Sequence, residues 1–298
     1  MYFISLSLLF WNHLSWPGIN TRTPLQKERW IRANKMTTDD SPVWFPVFTT
    51  EFLVISIINA ITIIAFARIC HLRKRSTYFI INLTVADLLV GTVTGPLFVC
   101  HQRKKNMLPR FIIRPIDLTF PIASQVNLSL ISLERLHATL FPFRHCLITK
   151  RLYFKIIVGS WLIIFAIAFV MANLSKQAFQ YAWASFSVLI LVVLTVSYII
   201  IIVNVRRSPH SQHHGSIHTE RKLSVTLFIV TGVSVLTILP WAVSHSMPVD
   251  LQEELSDTSG IEIHLVLAAI YFASSIVNPL VYAIRMQEFR KAITNLVC

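Results

Sequence analysis

Residues 109–144, PRFIIRPIDLTFPIASQVNLSLISLERLHATLFPFR, decide the fold, because one membrane-length segment carries an acid, a hydroxyl and a base on a single face. Asp117, Ser124 and Arg135 are separated by seven and eleven residues, which are close to two and three turns of an α-helix. Over this distance the helix rises about 27 Å, nearly the hydrocarbon thickness of a bilayer. A charge that faces lipid at mid-bilayer is costly. The segment is therefore predicted to be enclosed by other helices.

The composition indicates an integral membrane protein. The chain has 298 residues, of which 54% are hydrophobic and 14% are charged, with a mean hydropathy of +0.61. Its net charge of +13 comes largely from short connectors between apolar runs, which indicates membrane topology rather than nucleic-acid binding. The four cysteines have no metal-ligand spacing, and the sequence contains no phosphate loop or nucleophile elbow. We therefore do not expect an enzyme.

Seven apolar segments predict an all-α fold, a seven-transmembrane helix bundle over residues 45–284. Residues 1–44 are predicted to be an extracellular amino-terminal tail; Met36 is an alternative start, which would make 1–35 an extended gene model. Apolar residues at three- and four-residue steps predict a short amphipathic eighth helix and the carboxyl terminus over 285–298. Lysine and arginine predominate in the connectors opposite the tail, which predicts an extracellular amino terminus. The spans are predicted at 45–68, 77–100, 110–139, 153–173, 181–205, 222–246 and 262–284.

Polar residues inside the apolar spans are the main candidates for a site. The carboxylate of Asp87 in span two is expected to meet hydroxyl and amide groups in a wet internal cavity. Two interpretations stay open: a small cation balances its charge, or a protonated Asp87 belongs to a neutral hydrogen-bonded network. The other candidate members are Asn59, Ser124, Ser274 and Asn278.

Three prolines inside spans remove helical hydrogen bonds and free a carbonyl four residues earlier. Pro240 and Pro279 are predicted hinges, although prolines are also simply commoner in membrane helices than in soluble ones. The freed carbonyls are those of Asp117 (by Pro121), Leu236 (by Pro240) and Ser275 (by Pro279).

At the inner end of span three, Glu134 and Arg135 are adjacent, and Glu220 begins span six. An ion pair between Arg135 and Glu220 would hold the bundle closed, and its loss would open a cytoplasmic cleft. The alternative is that both side chains are merely solvated near the headgroups.

The order and spacing of these landmarks resemble the class A, rhodopsin-like G-protein-coupled receptors over nearly all of residues 45–298. The matching positions are Asn59, the run 82–88, the run 132–136, Pro142, Trp161, Tyr198, Pro240, the NPxxY match at 278–282, and Phe289. The resemblance implies a plasma-membrane receptor that converts extracellular ligand binding into activation of a heterotrimeric G protein, with arrestin and the lipid bilayer as further partners and no nucleic acid.

The resemblance also implies roles for individual residues. It implies a sodium and water site at Asp87, Ser124 and Asn278, with no cofactor beyond that sodium ion. It implies palmitoylation of Cys298. The implied cytoplasmic switch comprises Glu134, Arg135, Tyr198, Glu220 and Tyr282.

The sequence also departs from the family pattern. Arg110 replaces the usual cysteine of a disulfide, and Ile190 replaces a common proline in span five. These two absences resemble the branch that includes melanocortin, lysophospholipid and cannabinoid receptors. Span six lacks the CWxP tryptophan, and Ser234 replaces a usual phenylalanine.

Asp117 lies where aminergic receptors keep a carboxylate that pairs with a protonated amine. Because a buried carboxylate that faces a cavity requires a cation, the sequence predicts a cationic amine or a basic peptide as ligand. The alternative is that Asp117 pairs internally with Arg114 or His245. The predicted ligand-binding residues are Asp117, Pro121, Trp241, His245 and Phe272.

Two further points come from the sequence. Asn173 heads a glycosylation sequon in a connector, whereas Asn82 and Asn127 head sequons inside spans. A membrane transporter or channel subunit with a polar intramembrane pathway is the alternative function.

Overall fold

The protein is described from a computed structural model, in which the described residues are 44–68, 77–103, 109–207, 232–233, 235–244, 247 and 261–285. Each of the seven predicted spans coincides with helix in these ranges. The helices are Trp44–Arg68 (span one), Thr77–Leu89 and Gly95–Arg103 joined by a π-helical segment Val90–Thr94 (span two), Arg110–Leu140 (span three), Lys150–Ala172 (span four), Lys176–Arg207 (span five), Val235–Ser244 (the described part of span six) and Ile261–Arg285 (span seven).

Length and composition agree with a membrane bundle. Among the described residues, the helices of spans one to five are long and apolar enough to cross a membrane, and Val235–Ser244 and Leu265–Val281 add shorter apolar helices. The all-α prediction is confirmed. The predicted eighth helix, apart from Arg285 at the end of span seven, lies outside the described residues.

Span three lies at the centre of the bundle, in contact with spans two, four and five. Its apolar window is 61% buried, against 22% for that of span four. Ser124 and Arg135 are buried and Asp117 is half-buried, so other helices enclose this polar face as predicted. Span three ends at Leu140 because Pro142 disfavours helical backbone at Phe141, where φ is −131°. A short helix, Pro142–Leu147, follows; we call it the loop helix.

Two glycines bring span two against span one. A Cβ added at Gly91 would lie 2.5 Å from Ser56 Oγ and 2.9 Å from the carbonyl oxygen of Phe52, and one at Gly95 would lie 2.4 Å from the Phe52 ring. Gly91 and Gly95 are four residues apart, the small-residue spacing that lets membrane helices approach closely. The π-helical segment contains Gly91, so the contact and the widened turn coincide.

A pair of buried amides joins spans two, three and four. Asn82 Nδ2 donates to Asn127 Oδ1 at 2.6 Å, and Trp161 Nε1 donates to Asn82 Oδ1 at 3.0 Å. Both asparagines are buried. Their sequons are therefore inaccessible, and their amides serve packing between the helices.

Candidate functional site

Asp87 is fully buried and receives three hydrogen bonds from two other spans. Its Oδ1 accepts from Ser124 Oγ at 2.6 Å and from Ser275 Oγ at 2.8 Å, and its Oδ2 accepts from Asn278 Nδ2 at 2.8 Å. We call these four residues the Asp87 cluster. The structure thus brings together Asp87, Ser124 and Asn278, which the sequence placed in one site.

The serine of span seven in this cluster is Ser275, whereas the sequence interpretation named Ser274. Neighbouring helical residues differ by about 100° in direction, so only one of the two can face Asp87. Ser274 is half-buried and instead lines a small cavity beside the cluster. The hydroxyl of span seven that donates to Asp87 is therefore that of Ser275, while the place of Ser274 in a sodium and water site stays a prediction.

Asn59 connects span one to span seven at the same depth. Its Nδ2 donates to the carbonyl of Ile55 at 2.9 Å and to the carbonyl of Ser275 at 3.2 Å. The Ser275 carbonyl is available because Pro279, four residues later, has no N–H to donate to it. One residue therefore supplies both a hydroxyl to Asp87 and a carbonyl to Asn59.

Asp117 lies toward the Arg110 end of span three. Pro121 frees its carbonyl, which accepts a long hydrogen bond of 3.4 Å from Thr94 Oγ1 in the π-helical segment. Its side-chain Oδ1 is buried, and no donor reaches it among the described residues. A carboxylate oxygen held out of water without a donor is energetically costly unless a cation meets it.

Arg114 does not neutralise Asp117 in the described part of the chain. Its Nη1 donates to the carbonyl of Ala172 at 3.2 Å, and its guanidinium carbon lies 4.9 Å from the centroid of the Phe179 ring. The interpretation in which Arg114 pairs with Asp117 is therefore wrong. His245, the other internal partner considered, lies outside the described residues.

Aromatic side chains of spans five, six and seven meet around Tyr271. Trp241, a predicted ligand residue, stacks on Tyr271 with centroids 5.6 Å apart, and Trp183 packs edge-on to it at 6.4 Å. Phe272, also predicted to bind ligand, packs edge-on against Phe52 at 4.9 Å, so it lies against span one. Sequence reasoning missed Tyr271, although a buried hydroxyl in an apolar span was a usable signal.

A small cavity lies between Tyr271 and the Asp87 cluster. The cavity has a volume of about 10 Å³ and holds about one water molecule. Gln125 borders it, is only 2% exposed, and donates from Nε2 to Tyr271 Oη at 2.9 Å. The lining residues are Val90, Pro121, Ser124, Gln125, Ile238, Tyr271, Phe272, Ser274 and Ser275.

At the Leu140 end of span three, Glu134 collects three partners. Arg135 Nε lies 2.9 Å from Glu134 Oε2, His145 Nε2 of the loop helix lies 3.3 Å from Oε1, and Tyr153 Oη of span four donates to Oε1 at 3.2 Å. Arg135 is only 3% exposed. The pairing of Arg135 with its neighbour is thus observed, and the sequence missed His145 and Tyr153.

The other predicted switch and modification residues are placed as follows. Tyr198 is buried in span five, and Asn173 is exposed in the turn between spans four and five. Pro240 lies within helix Val235–Ser244 and Pro279 within helix Ile261–Arg285. The side chain of Tyr282, and all of Glu220 and Cys298, lie outside what the structure describes.

Comparisons with known proteins agree with this architecture. The sequence model of the family "7 transmembrane receptor (rhodopsin family)" matches residues 58–182 and 170–282. Melanocortin receptor 5 of Mus musculus is 22% identical over 289 residues, covering 90% of this chain and 88% of the relative. Neuromedin-U receptor 2 of Mus musculus is 24% identical over 298 residues, with 84% and 74% covered. Dopamine receptor 2 of Drosophila melanogaster is 34% identical over 119 residues, with 37% and 22% covered.

The family match extends over most of the chain, so the chain belongs to the rhodopsin-like family of seven-transmembrane receptors. It is a G-protein-coupled receptor and not an enzyme: a multi-pass protein of the plasma membrane that responds to an extracellular ligand and signals through a G protein. The function predicted from the order of motifs is confirmed, and the family match decides against the transporter or channel alternative.

Proposed function

We propose that this receptor responds to a ligand with a protonated amine, either a small amine or a basic peptide, and that Asp117 is its anchor. The observation that carries the proposal is the buried Oδ1 of Asp117, which receives no donor from the described residues. Arg114 is engaged with Ala172 and Phe179, so it leaves the Asp117 carboxylate available to an incoming cation.

The aromatic side chains that meet around Tyr271 are suited to the same kind of ligand. Tyr271 and Trp241 present stacked ring faces, and Trp183 lies beside them. Ring faces attract cations, with a benefit of about 0.5–2 kcal/mol depending on desolvation. One relative is named for dopamine, whose amine is protonated at neutral pH, although the similarity covers 37% of this chain. Pro121, Phe272 and His245 complete the proposed ligand site.

The proposed orientation places the amino terminus and the Arg110 end of span three outside the cell. The Leu140 end then faces the cytoplasm, where Phe143 and Leu147 of the loop helix are 89% and 79% exposed. Exposed apolar side chains beside a basic surface are suited to a protein partner. We propose that this surface, with Arg135 once it is released from Glu134, binds the G protein and afterwards arrestin. Tyr198 and Tyr282 would support the open form, and a palmitoyl group on Cys298 would anchor the carboxyl terminus.

The Asp87 cluster is proposed to bind a sodium ion in the resting receptor. Its carboxylate and the hydroxyls of Ser124 and Ser275 are hard oxygen ligands, and each hydroxyl that donates to Asp87 keeps lone pairs for a cation. The ion would balance a carboxylate that is fully buried.

The test is a screen of amines and of lysine- or arginine-containing peptides, read as nucleotide exchange on a broadly coupling G protein. Asp117→Asn should lower the potency of an active compound by about 100-fold or more, because a buried charge pair is lost, while surface expression is retained. Glu51→Gln is the matched control, since Glu51 Oε2 in span one is also buried without a donor among the described residues. Arg135→Ala should abolish exchange.

Unchanged potency in Asp117→Asn would end the proposal. A loss of potency in Glu51→Gln with Asp117→Asn unaffected would move the anchor to span one.

A further inference from the structure

Spans three and seven are joined by two hydrogen-bonded connections, which begin at adjacent residues of span three and end about one helical turn apart on span seven. Gln125 Nε2 donates to Tyr271 Oη at 2.9 Å, which is a direct bond between the two spans. The second connection runs through the carboxylate of span two, because Ser124 Oγ and Ser275 Oγ both donate to Asp87 Oδ1, at 2.6 Å and 2.8 Å.

The residues that make the two connections are close together along each helix. Gln125 immediately follows Ser124, and Tyr271 precedes Ser275 by four residues, which is about one turn. The two connections, with the backbone between their ends, therefore form a closed loop through spans two, three and seven, which we call the polar ring. Any shift of span seven along span three changes both connections together.

Tyr271 also connects this ring to the proposed ligand level. Its ring stacks on Trp241 of span six and packs edge-on to Trp183 of span five, and it is only 6% exposed. Ile238 of span six lines the adjoining cavity with an apolar side chain, so it supplies no competing hydrogen bond there. The cavity leaves room for the tyrosine hydroxyl to move.

We propose that Tyr271 and Gln125 are positioning residues that hold spans three and seven in the resting arrangement and couple the ligand level to the Asp87 cluster. A displacement of Trp241 or Trp183 is transmitted to Tyr271, breaks its bond to Gln125 and shifts Ser275 relative to Asp87. The inference rests on the proposed release of Arg135 at the Leu140 end, where activation is read out.

The full-length receptor is placed in phosphatidylcholine vesicles with a panel of G proteins. The experiment measures the nucleotide exchange that it promotes on each G protein without any ligand. Tyr271→Phe and Gln125→Leu keep the side-chain volumes close to the originals and remove one bond. Each should raise exchange by about 3- to 10-fold, the effect expected for one buried hydrogen bond. The double variant should rise no further than a single one, because both changes remove the same bond.

Three controls separate positioning from packing and from coupling. Tyr181→Phe, at an exposed tyrosine of span five, should leave exchange unchanged. Glu134→Gln should raise it by weakening the hold on Arg135. Thermal unfolding is measured in parallel, since a merely structural role would lower the midpoint without raising exchange.

If Tyr271→Phe does not raise nucleotide exchange while Glu134→Gln does, the proposed coupling through Tyr271 and Gln125 is wrong and the proposed release of Arg135 is unaffected. Additive rises in the double variant also overturn that coupling, because the two residues would then act separately. If Glu134→Gln does not raise nucleotide exchange either, the proposed release of Arg135 at the Leu140 end is wrong. The proposed coupling through Tyr271 and Gln125, which rests on that release, is then wrong as well.

Discussion

Asn59 donates a hydrogen bond of 3.2 Å from Nδ2 to the carbonyl oxygen of Ser275, the carbonyl that Pro279 leaves without a helical partner. Asn59→Leu should therefore destabilise the receptor by about 1–3 kcal/mol, because it leaves a buried acceptor unsatisfied. In a Pro279→Ala background the loss should be smaller, since the alanine N–H reaches the same carbonyl. Thermal unfolding of the purified receptor measures both losses, and equal losses in the two backgrounds would contradict this account.

The approach of spans one and two predicts a contrast between two glycines. Gly91→Ala should lower stability by about 1–3 kcal/mol, because its Cβ would lie 2.9 Å from backbone atoms of Phe52 and Ser56, which cannot move aside cheaply. Gly159→Ala is the matched control, since a Cβ there meets nothing within 4 Å and alanine favours helix. The comparison is made by thermal unfolding and surface expression. If the two substitutions changed the stability equally, the close contact of Gly91 with span one would not be the cause of the loss.

The proposed sodium site predicts different effects for adjacent serines. Replacing KCl by NaCl should stabilise the receptor against unfolding and so raise its unfolding midpoint. At sodium concentrations well above the dissociation constant of sodium, the stabilisation should reach about 3 kcal/mol. Ser275→Ala should raise the sodium concentration needed for half of this effect by about 3- to 10-fold, because it removes one oxygen next to Asp87. Ser274→Ala should leave it unchanged, and Asp87→Asn should abolish it. A sodium effect that survives Asp87→Asn would place the ion elsewhere.

Glycosylation tests the orientation of the bundle. Asn173 is exposed in the turn between spans four and five, so Asn173→Gln should abolish the change in gel mobility produced by a glycosidase. Thr84→Val and Ser129→Ala destroy the sequons of Asn82 and Asn127 and should leave that change intact, because both asparagines are buried. A glycosidase-sensitive band that persists in Asn173→Gln would mean that another site is used; absence of any sensitive band in the unaltered receptor would count against an extracellular turn.

The sequence predicted those features that depend on chain-local chemistry. The spacing of Asp117, Ser124 and Arg135 predicted a central span three, and the position of Pro279 predicted a free carbonyl at Ser275. Both follow from helix geometry and the missing proline N–H, which need no knowledge of neighbouring helices.

The features that the sequence missed depend on how helices are rotated against one another. A rotation of 100° separates Ser274 from Ser275, and no pattern within span seven fixes it to that accuracy. His145 reaches Glu134 because the loop helix lies against span three, and Tyr153 reaches it because span four packs on span three. Gly91 and Gly95 were readable from their spacing, but their partners Phe52 and Ser56 were not.

The side chain and the main-chain carbonyl of Asp117 have different partners. In the proposed ligand site its carboxylate would meet the cation, while its main-chain carbonyl oxygen accepts a hydrogen bond from Thr94 in the π-helical segment of span two. A cation that draws this carboxylate toward itself would also pull on the bond to Thr94, so ligand binding at span three would act directly on span two.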